Sequence, residues 1–273
     1  MNTIKPSASG KSTSMPGSID PLLIENMAWP EIERTLDDVL ILPVGATEQH
    51  GPHLPVNTDS LIATACCHYA SAATGAPVLP CLAYTVSLGH TEKWPGTFAI
   101  FHETLITTVC DIARWAVASG WKRMLIVNSH FGNDAALRCA VDRLRFELVG
   151  RLLVAIRNTW ALTQGIAARF SHDATDWHAN EAETSLLLHV APNLVQLDRL
   201  PTSDDPDRTG CHVFPHMVAH TSTNGVTGKP SLATAESGSS LLSEIGDALV
   251  TLIRRARIEQ PPLDWYRTST AFA

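Results

Sequence analysis

A short loop in the first quarter of the chain gathers side chains of the kinds that bind metals. The segment 43–59, rich in proline and glycine, carries Glu48, His50 and Asp59. Carboxylates and imidazoles together suit Zn²⁺ or Mn²⁺, and a carboxylate such as Asp59 can bridge two ions about 3.5–4 Å apart. The alternative is a polar loop whose acidic residues only cap a helix that begins near Ser60.

A second candidate ligand lies in the turn 128–133, which has the sequence Asn-Ser-His-Phe-Gly-Asn. Its histidine, His130, follows an apolar run and precedes a helical pattern, and such strand-to-helix junctions hold ligands in parallel α/β sheets. Asn128 and Asn133 are interpreted as turn-forming residues. The competing interpretation of His130 is a turn histidine whose hydrogen bonds are satisfied locally.

A third group of polar residues precedes the apolar run 186–188. It consists of His178, Glu181 and Glu183. Glu181 is expected to cap the helix that follows, whereas His178 and Glu183 supply a general acid/base and a further carboxylate ligand. None of the three groups is specific alone, but together they provide the parts of a two-metal site with a proton carrier.

The elements that position these residues alternate in type along the chain. Short apolar runs predict strands, and longer stretches with helical spacing predict helices. Strands joined by helices of this length pair in parallel, so we expect an α/β fold, a three-layer α/β/α sandwich with a mainly parallel sheet. Glu48, His50 and His130 follow predicted strands, at the edge of the sheet where ligands bind. The predicted strands are Asp38–Val44, Pro77–Ala83, Arg123–Val127 and Leu152–Ile156, and the predicted helices are Ser60–Ala73, Thr104–Ser119, Asp134–Val149 and Ser237–Ile258.

The composition excludes several classes of protein. The chain has 273 residues, of which 45% are hydrophobic and 17% charged, and this suits a globular protein with a sizeable core. The net charge of −7, with no basic run longer than Arg254-Arg255, argues against a nucleic-acid partner. No apolar stretch approaches the roughly 18 residues of a membrane span. Residues 1–20 lack the apolar core of a secretion signal and are predicted to form a flexible leader, with a single domain over residues 21–273.

The cysteine pattern predicts the redox state of the thiols, and the glycine pattern excludes one further class of protein. No Cys-x-x-Cys pair is present among Cys66, Cys67, Cys81, Cys110, Cys139 and Cys211. These thiols are predicted to be reduced and buried, in keeping with a cytoplasmic enzyme. No Gly-x-Gly-x-x-Gly follows any predicted strand, which excludes a dinucleotide-binding dehydrogenase.

The motifs that carry these residues resemble those of the creatininase family. The first spans residues 42–59, with Glu-Gln-His-Gly-Pro-His at 48–53, and the second is the turn at 128–133. The third is His178-Ala179 followed by Glu183-Thr184-Ser185, and Pro-Gly-Thr at 95–97 and Asn-Gly-Val-Thr-Gly at 224–228 add to the match. The resemblance covers roughly residues 40–235, and its first motif is highly specific.

The resemblance implies two divalent metal ions per chain, of Zn, Mn or Fe. Carried over residue by residue, Glu48 and His130 ligate one ion, His50 ligates the other, and Asp59 bridges them. Creatininase itself follows the metal-binding histidine with Tyr-Glu, and that glutamate ligates the second ion. Phe131 and Gly132 stand there in this chain, so Glu183 is the candidate replacement, and creatinine itself becomes a weaker candidate substrate.

The resemblance also implies the reaction, which is hydrolysis of a C–N bond in a small, often cyclic amide by a metal-activated water. His178 is the candidate catalytic residue and is expected to protonate the leaving nitrogen. The alternatives are a deformylase or a peptidase-like hydrolase on the same metal site, and a metal-binding relative without catalysis. A small-molecule amide substrate and a homo-oligomer, a hexamer in the family, are the expected partners.

Overall fold

The computed structural model describes residues 20–210, 212–261 and 263. The predicted flexible leader, residues 1–20, lies outside the described residues except for Asp20, and Cys211 lies outside them too. The single domain over residues 21–273 stays a prediction. The described part of the chain contains no helix that is both long and apolar enough to span a membrane.

Three parallel strands form the sheet, in the order β1-β2-β3. They are β1 (Leu40–Val44), β2 (Arg123–Asn128) and β3 (Leu153–Asn158), within one or two residues of three of the predicted strands. Every residue of β1 is buried, as expected for a strand covered on both faces.

The predicted strand Pro77–Ala83 does not form as a regular strand. The segment runs beside β1, but it pairs only through isolated bridges from Val78 to Ile41 and from Leu82 to Val44. The N–H of Leu79 donates to the carbonyl of Ile41 and that of Leu82 donates to the carbonyl of Pro43, so three residues of the segment, with Pro80 among them, span two residues of β1. This extra residue is a bulge, a position where proline is tolerated, and it interrupts the ladder. The segment still reaches the carboxyl edge of the sheet, because the main-chain N–H of Gly45 bonds to the carbonyl of Leu82 at 2.9 Å.

The four predicted helices all form, and each bound lies within two residues of the prediction. Among the described residues, one shorter α-helix precedes β1, and three more lie between the third and fourth of these long helices. The helices are α1 (Trp29–Ile32), α2 (Thr58–Thr74), α3 (His102–Ser119), α4 (Asp134–Glu147), α5 (Gln164–Phe170), α6 (Glu181–Val190), α7 (Val218–Thr221) and α8 (Ala235–Ile258).

Alternate residues of the strands face two separate hydrophobic cores. Ile41 and its neighbours across the sheet pack against α2, α6 and α8. Leu42 and Ile126 face the opposite side and pack against α3 and α4. The sheet therefore lies between two helical layers, and the predicted three-layer α/β/α sandwich is confirmed.

The described cysteines are all free thiols, as predicted, but not all are buried. Cys66, Cys67 and Cys110 lie in the cores, and Cys81 is partly buried. The prediction of burial is wrong for Cys139, which is exposed on α4. It follows Arg138 on the outer side of this helix, whose inner side is formed by residues such as Leu137 and Val141.

Candidate metal centre

The six predicted site residues lie together at the carboxyl edge of the sheet. They come from four places in the chain: the loop after β1, the first turn of α2, the turn after β2, and the start of α6 with the segment before it. All six are buried, with at most 8% of any residue exposed to solvent. They are Glu48, His50, Asp59, His130, His178 and Glu183.

The loop after β1 is held by main-chain hydrogen bonds. The N–H of Glu48 donates to the carbonyl of Val56 at 2.8 Å, and His50 forms an antiparallel bridge with Leu54. The side chain of Thr97 accepts from the N–H of Gln49 at 3.0 Å. These bonds fix the directions of the Glu48 and His50 side chains, because the backbone on both sides of each residue is tied down.

Two groups of candidate ligands share Asp59. Its Oδ2 lies 3.2 Å from Nδ1 of His130, and its Oδ1 lies 3.5 Å from Nε2 of His50. Glu48 completes a group with Asp59 and His130, and Glu183 completes a group with His50 and Asp59, with the ligand atoms of each group within 4.8 Å of one another. Each oxygen of Asp59 thus faces a different group, which is the geometry that a bridging carboxylate needs.

Asp59 does not act as a helix cap. It lies in the first turn of α2, whose N-cap residue is Asn57, and the N-cap makes no side-chain capping bond. The capping interpretation is also wrong for Glu181, whose carboxylate accepts hydrogen bonds from the hydroxyls of Ser185 and Ser237. Asn180 caps α6 instead, because its side-chain oxygen accepts from the N–H of Glu183 at 3.3 Å.

A main-chain carbonyl fixes the tautomer of each predicted histidine. A carbonyl can only accept, so the facing ring nitrogen must carry the proton and the other nitrogen keeps its lone pair when the ring is neutral. This is the usual arrangement of a metal-ligating histidine. The bonds run from His50 Nδ1 to Glu48 O at 3.0 Å, from His130 Nε2 to Val86 O at 2.8 Å, and from His178 Nε2 to Gln49 O at 2.9 Å.

Glu183 is oriented by a strained turn. Its Oε2 accepts the N–H of Ala179 at 2.6 Å, which leaves Oε1 facing Nε2 of His50 at 3.9 Å. Ala179 has a φ of 49°, in the left-handed region that residues other than glycine seldom occupy. His178, just before it, is paired with Thr227 in an antiparallel bridge. The turn thus aims both His178 and Glu183 at the same buried cluster.

The position of Gly132 leaves no room for the glutamate that creatininase has there. A Cβ built at Gly132 would lie 2.5 Å from the carbonyl oxygen of Val86 and 2.6 Å from Nε2 of His130. Carbon atoms do not approach their neighbours this closely, so any side chain here displaces either the main chain or the candidate ligand. Glu183 is therefore the carboxylate that this chain offers to the group containing His50 and Asp59.

Replacing Gly132 by alanine should displace His130 and weaken metal binding. The added methyl group must push the imidazole away from Val86, which breaks the bond that orients the ring. We expect metal affinity to fall by about 10–100-fold, in the range measured for loss of an orienting partner. Titration of the metal-free protein with Zn²⁺ measures this, and Gly165→Ala is the control, since a Cβ at Gly165 approaches no atom closer than 3.8 Å. Equal affinities in the two variants would contradict the prediction.

Several polar atoms of the cluster have no hydrogen-bond partner among the described residues. They are both carboxylate oxygens of Glu48, Oδ2 of Asp59 and Nε2 of His50. Buried polar atoms without partners are rare in native proteins, because each one carries the full loss of its hydration. Oxygen and imidazole nitrogen donors that converge in this way fit Zn²⁺ or Mn²⁺, so the residues present fit a two-metal centre.

The carboxylates of the cluster shift the pKa values of the residues around them. Burial raises the pKa of Glu48 to about 7, against the lowering effect of His130. Burial lowers the pKa of His130, but Glu48 and Asp59 outweigh it and raise the value to about 9. In the same way, Asp59 overcomes burial and holds the pKa of His50 well above its usual value. The carboxylates that stabilise a positive charge on these imidazoles would also stabilise a divalent cation.

His178 has the opposite electrostatic environment. Burial, followed by the neighbouring rings of His90 and His50, lowers its pKa well below the usual value of histidine. The ring is therefore neutral at pH 7, with the proton on Nε2 and the lone pair on Nδ1. Nδ1 lies 3.5 Å from Oε1 of Glu48, so a proton acceptor points into the cluster.

A cavity of about 300 Å³ opens onto the cluster. Trp177 and Phe131 line it, whereas Trp160 lies behind Trp177 with ring centroids 6.0 Å apart. Trp94 does not line this cavity and instead packs under the ammonium group of Lys93 at 4.5 Å. Two larger cavities, of about 510 and 460 Å³, contain none of the predicted site residues. Of these three cavities, the 300 Å³ cavity is the one that opens onto the candidate ligands.

Sequence reasoning missed Ser87 and His90, which both line this cavity. The hydroxyl of Ser87 lies 3.2 Å from Nε2 of His130, and Nδ1 of His90 lies 3.4 Å from Oε1 of Glu48. Both residues follow the interrupted run Pro77–Ala83. Their position after this run was the signal by which the sequence could have identified them, because the run leads to the same edge of the sheet as β1 and β2.

His53, from the same motif as His50, is not part of the ligand cluster. Its Nε2 pairs with the hydroxyl of Thr184 at 2.9 Å, a residue of α6 beside Glu183. Burial, followed by the charge of His50, lowers its pKa to about 4. His53 thus ties the loop to α6 as a neutral hydrogen-bonding residue.

The fold and the buried donor set define an α/β/α protein with a candidate metal centre at the carboxyl edge of a parallel sheet. The chain belongs to the creatininase family, because the family model described as creatinine amidohydrolase matches residues 25–253. This match makes the chain a creatininase-family hydrolase and confirms the resemblance noted in its motifs.

Two relatives with different activities are similar to this chain. The creatinine amidohydrolase of Pseudomonas putida is 30% identical over 258 residues, which cover 88% of this chain and 98% of the relative. The mycofactocin precursor peptide peptidase of Mycolicibacterium smegmatis is 36% identical over 228 residues, which cover 80% and 85%. The chain is thus similar both to an enzyme named for a small-molecule substrate and to one named for a peptide substrate.

Solved creatininase structures have the same fold. A creatininase variant of the Zn-Zn type superposes with a TM-score of 0.76 and 29% identity, over 88% of this chain and all of the other. A manganese form of creatininase gives a TM-score of 0.75 and 30% identity over the same shares. Similar chains are therefore known with either metal.

Proposed function

We propose that this chain is a dinuclear metal-dependent hydrolase that cleaves a C–N bond, other than an ordinary peptide bond, in a small and most often cyclic amide. The observation that carries the proposal is the pair of ligand groups that share Asp59 at the end of a cavity of about 300 Å³. Three carboxylates and two imidazoles converge there, and four of their atoms have no hydrogen-bond partner among the described residues.

Each proposed ligand has a defined partner ion. Glu48 and His130 would hold one ion, His50 and Glu183 would hold the other, and Asp59 would serve both. When bound, two divalent ions acidify a water molecule and polarise a carbonyl group. The distances of 3.2 and 3.5 Å from Asp59 to the two imidazoles support the bridging role.

His178 is proposed to carry the proton between the attacking water and the leaving nitrogen. Its Nε2–H is held by the carbonyl of Gln49 at 2.9 Å, so Nδ1 is the nitrogen that exchanges protons. A neutral ring with a free Nδ1 takes a proton as the water attacks and then donates it to the nitrogen that departs. The sequence predicts that His178 acts as an acid on the leaving nitrogen. In the proposed reaction, His178 first acts as a base and so acquires the proton that it later donates.

The size of the cavity supports a small substrate. A volume of about 300 Å³ lies at the lower end of the range for ligand pockets, and Trp177 offers one flat wall to a planar ring. The 36% identity to a peptide peptidase keeps a peptidase-like hydrolase as the second candidate. A metal-binding relative without catalysis is less well supported, because His178 accompanies the full ligand set.

The purified protein should contain about two divalent transition-metal ions per chain and should hydrolyse a small amide. Elemental analysis gives the metal content, and a panel of lactams, hydantoins and formamides, with short peptides beside them, gives the substrate class. Removing the metal with a chelator should abolish hydrolysis, and Zn²⁺ or Mn²⁺ should restore it. A protein free of stoichiometric metal, with activity indifferent to chelators, would overturn the two-metal proposal. Cleavage of peptides alone would favour the second candidate.

Two further predictions belong with this proposal. The sequence suits a cytoplasmic enzyme with reduced thiols, and the family resemblance implies a homohexamer. Sedimentation of the purified protein tests the assembly separately from activity, since the candidate ligands all come from one chain.

A further inference from the structure

His90 is the one histidine lining the cavity that contacts the ligand cluster and has no role in the proposed reaction. It ends a short turn, Leu88–His90, and 13% of its side chain is exposed to the cavity. Its ring packs against that of His178, with centroids 4.3 Å apart and the planes tilted by 52°. The hydrogen bonds around it determine which of its nitrogens carries the proton.

The side-chain amide of Gln49 has a fixed orientation. Its Oε1 accepts the N–H of Gly51 at 2.9 Å, and its Nε2 donates to the carbonyl of Gly225 at 3.2 Å. If the amide were flipped, its NH₂ group would face the N–H of Gly51 and its oxygen would face the carbonyl of Gly225, and neither pair could form a hydrogen bond. Gly225 has a φ of +87°, and a Cβ there would overlap the amide, so the glycine of the segment 224–228 is required for this approach.

The second proton of the Gln49 amide identifies the tautomer of His90. Two ring nitrogens lie within reach of Nε2, those of His90 at 3.1 Å and of His178 at 3.2 Å. The nitrogen of His178 already carries a proton, which it donates to the main-chain carbonyl of Gln49. Oε1 of Glu48 also lies 3.4 Å from Nδ1 of His90 but forms no hydrogen bond with it. The hydrogen-bond partner of Nδ1 is therefore the amide of Gln49, and the proton of the neutral His90 ring is on Nε2.

The Nε2–H of His90 has no hydrogen-bond partner among the described residues, and the residue lines the cavity. We propose that His90 donates a hydrogen bond from Nε2 to an acceptor atom of the substrate, and that Gln49 is the positioning residue that keeps the proton there. The proposal rests on the proposed function, because it assigns a substrate contact to the same cavity.

The proposal defines which substrate atoms the two stacked rings recognise. His90 presents a donor, whereas His178 presents an acceptor at Nδ1, and both rings lie within 3.5 Å of Oε1 of Glu48. An amide carries a carbonyl oxygen that accepts and, when secondary, an N–H that donates. A neutral donor suits the carbonyl oxygen or a ring nitrogen, and it becomes more effective as negative charge develops there.

Variants of His90 separate a donor at Nε2 from other roles. The amide nitrogen of glutamine occupies nearly the place of Nε2, whereas that of asparagine occupies the place of Nδ1. We expect His90→Ala and His90→Asn to lose about 10²-fold in kcat/KM on a substrate from the amide panel, and His90→Gln to stay within about tenfold of the wild type. Metal content should be unchanged in all three, and the exposed His172→Gln is the matched control.

The tautomer itself is measured by NMR on zinc-loaded protein labelled with ¹⁵N-histidine, where the His90 signals are those missing from His90→Gln. We expect a neutral ring protonated at Nε2. Gln49→Glu should move the proton to Nδ1, because a carboxylate can only accept, and should lower kcat/KM as His90→Ala does.

Three results would overturn the proposal: protonation at Nδ1, metal loss in His90→Ala, or equal kcat/KM in the alanine and glutamine variants. A wild-type protein that hydrolyses nothing in the panel would count against the proposed function, and the tautomer would still decide the role of His90.

Discussion

Asp59→Ala should empty both metal sites, whereas Glu48→Ala should leave the second ion largely in place. Asp59 faces an imidazole of each ligand group, at 3.2 Å from His130 and 3.5 Å from His50, so its loss removes a ligand from both ions. The loss in metal affinity should exceed the roughly 10–100-fold that follows loss of an orienting partner.

Metal content and activity are measured on the same preparations at saturating Zn²⁺ or Mn²⁺. Glu103→Ala is a suitable control, because Glu103 is an exposed carboxylate in the first turn of α3 and matches the position of Asp59 in its helix. This control separates the effect of a lost ligand from that of a lost charge at a helix N-terminus, about 0.3–1 kcal/mol. Equal metal content and activity in Asp59→Ala and Glu48→Ala would argue against a bridging Asp59.

His178→Ala should retain both ions and lose about 10²–10⁴-fold in turnover, the usual contribution of a general acid or base. The imidazole is locked by the carbonyl of Gln49, and its free Nδ1 faces Glu48 at 3.5 Å. The loss should shrink for substrates whose leaving group needs no proton, because the ligands of both ions are untouched. Turnover and metal content on one preparation give the answer.

Two other outcomes are defined for this variant, because His178 also forms a third ligand group with Glu48 and His50. If His178 ligates an ion, the variant should lose metal, and added Zn²⁺ or Mn²⁺ should partly restore activity. If the ring is only structural, turnover of the folded protein should be nearly normal and thermal stability lower. Either result would remove His178 from the proton-carrying role.

The sequence correctly predicted that candidate ligands which follow a regular strand lie together at one edge of the sheet. Glu48, His50 and His130 follow β1 and β2, and parallel strands bring their carboxyl ends to one edge whatever the details of the loops. Glu183 could be chosen as a candidate ligand because the motif at 178–185 supplies a carboxylate that can replace the glutamate absent at Gly132. The structure adds the reason, since a Cβ at Gly132 would collide with His130 and Val86.

The sequence could not predict features that depend on the path of the loops. His90 lies several residues beyond the predicted strand Pro77–Ala83, in the short turn Leu88–His90, and the strand pattern does not determine the path of that turn. The role of Asp59 as helix cap or ligand could not be decided either, because aspartate is a residue type that caps helices. Only the position of the first helical turn decided that Asn180 caps α6 while Asp59 faces the cluster.

The anchors that orient the candidate ligands consist of main chain rather than side chains. The carbonyls of Glu48, Val86 and Gln49 hold the three imidazoles, and the N–H of Ala179 holds Glu183. Every residue type supplies a main-chain carbonyl, and every type except proline supplies an N–H, so side-chain substitution at the anchoring positions leaves the anchors themselves in place. The walls of the cavity are side chains, such as Trp177 and Phe131. Substitutions in these walls can therefore change which molecule fits the cavity while the main-chain anchors of the candidate ligands stay in place.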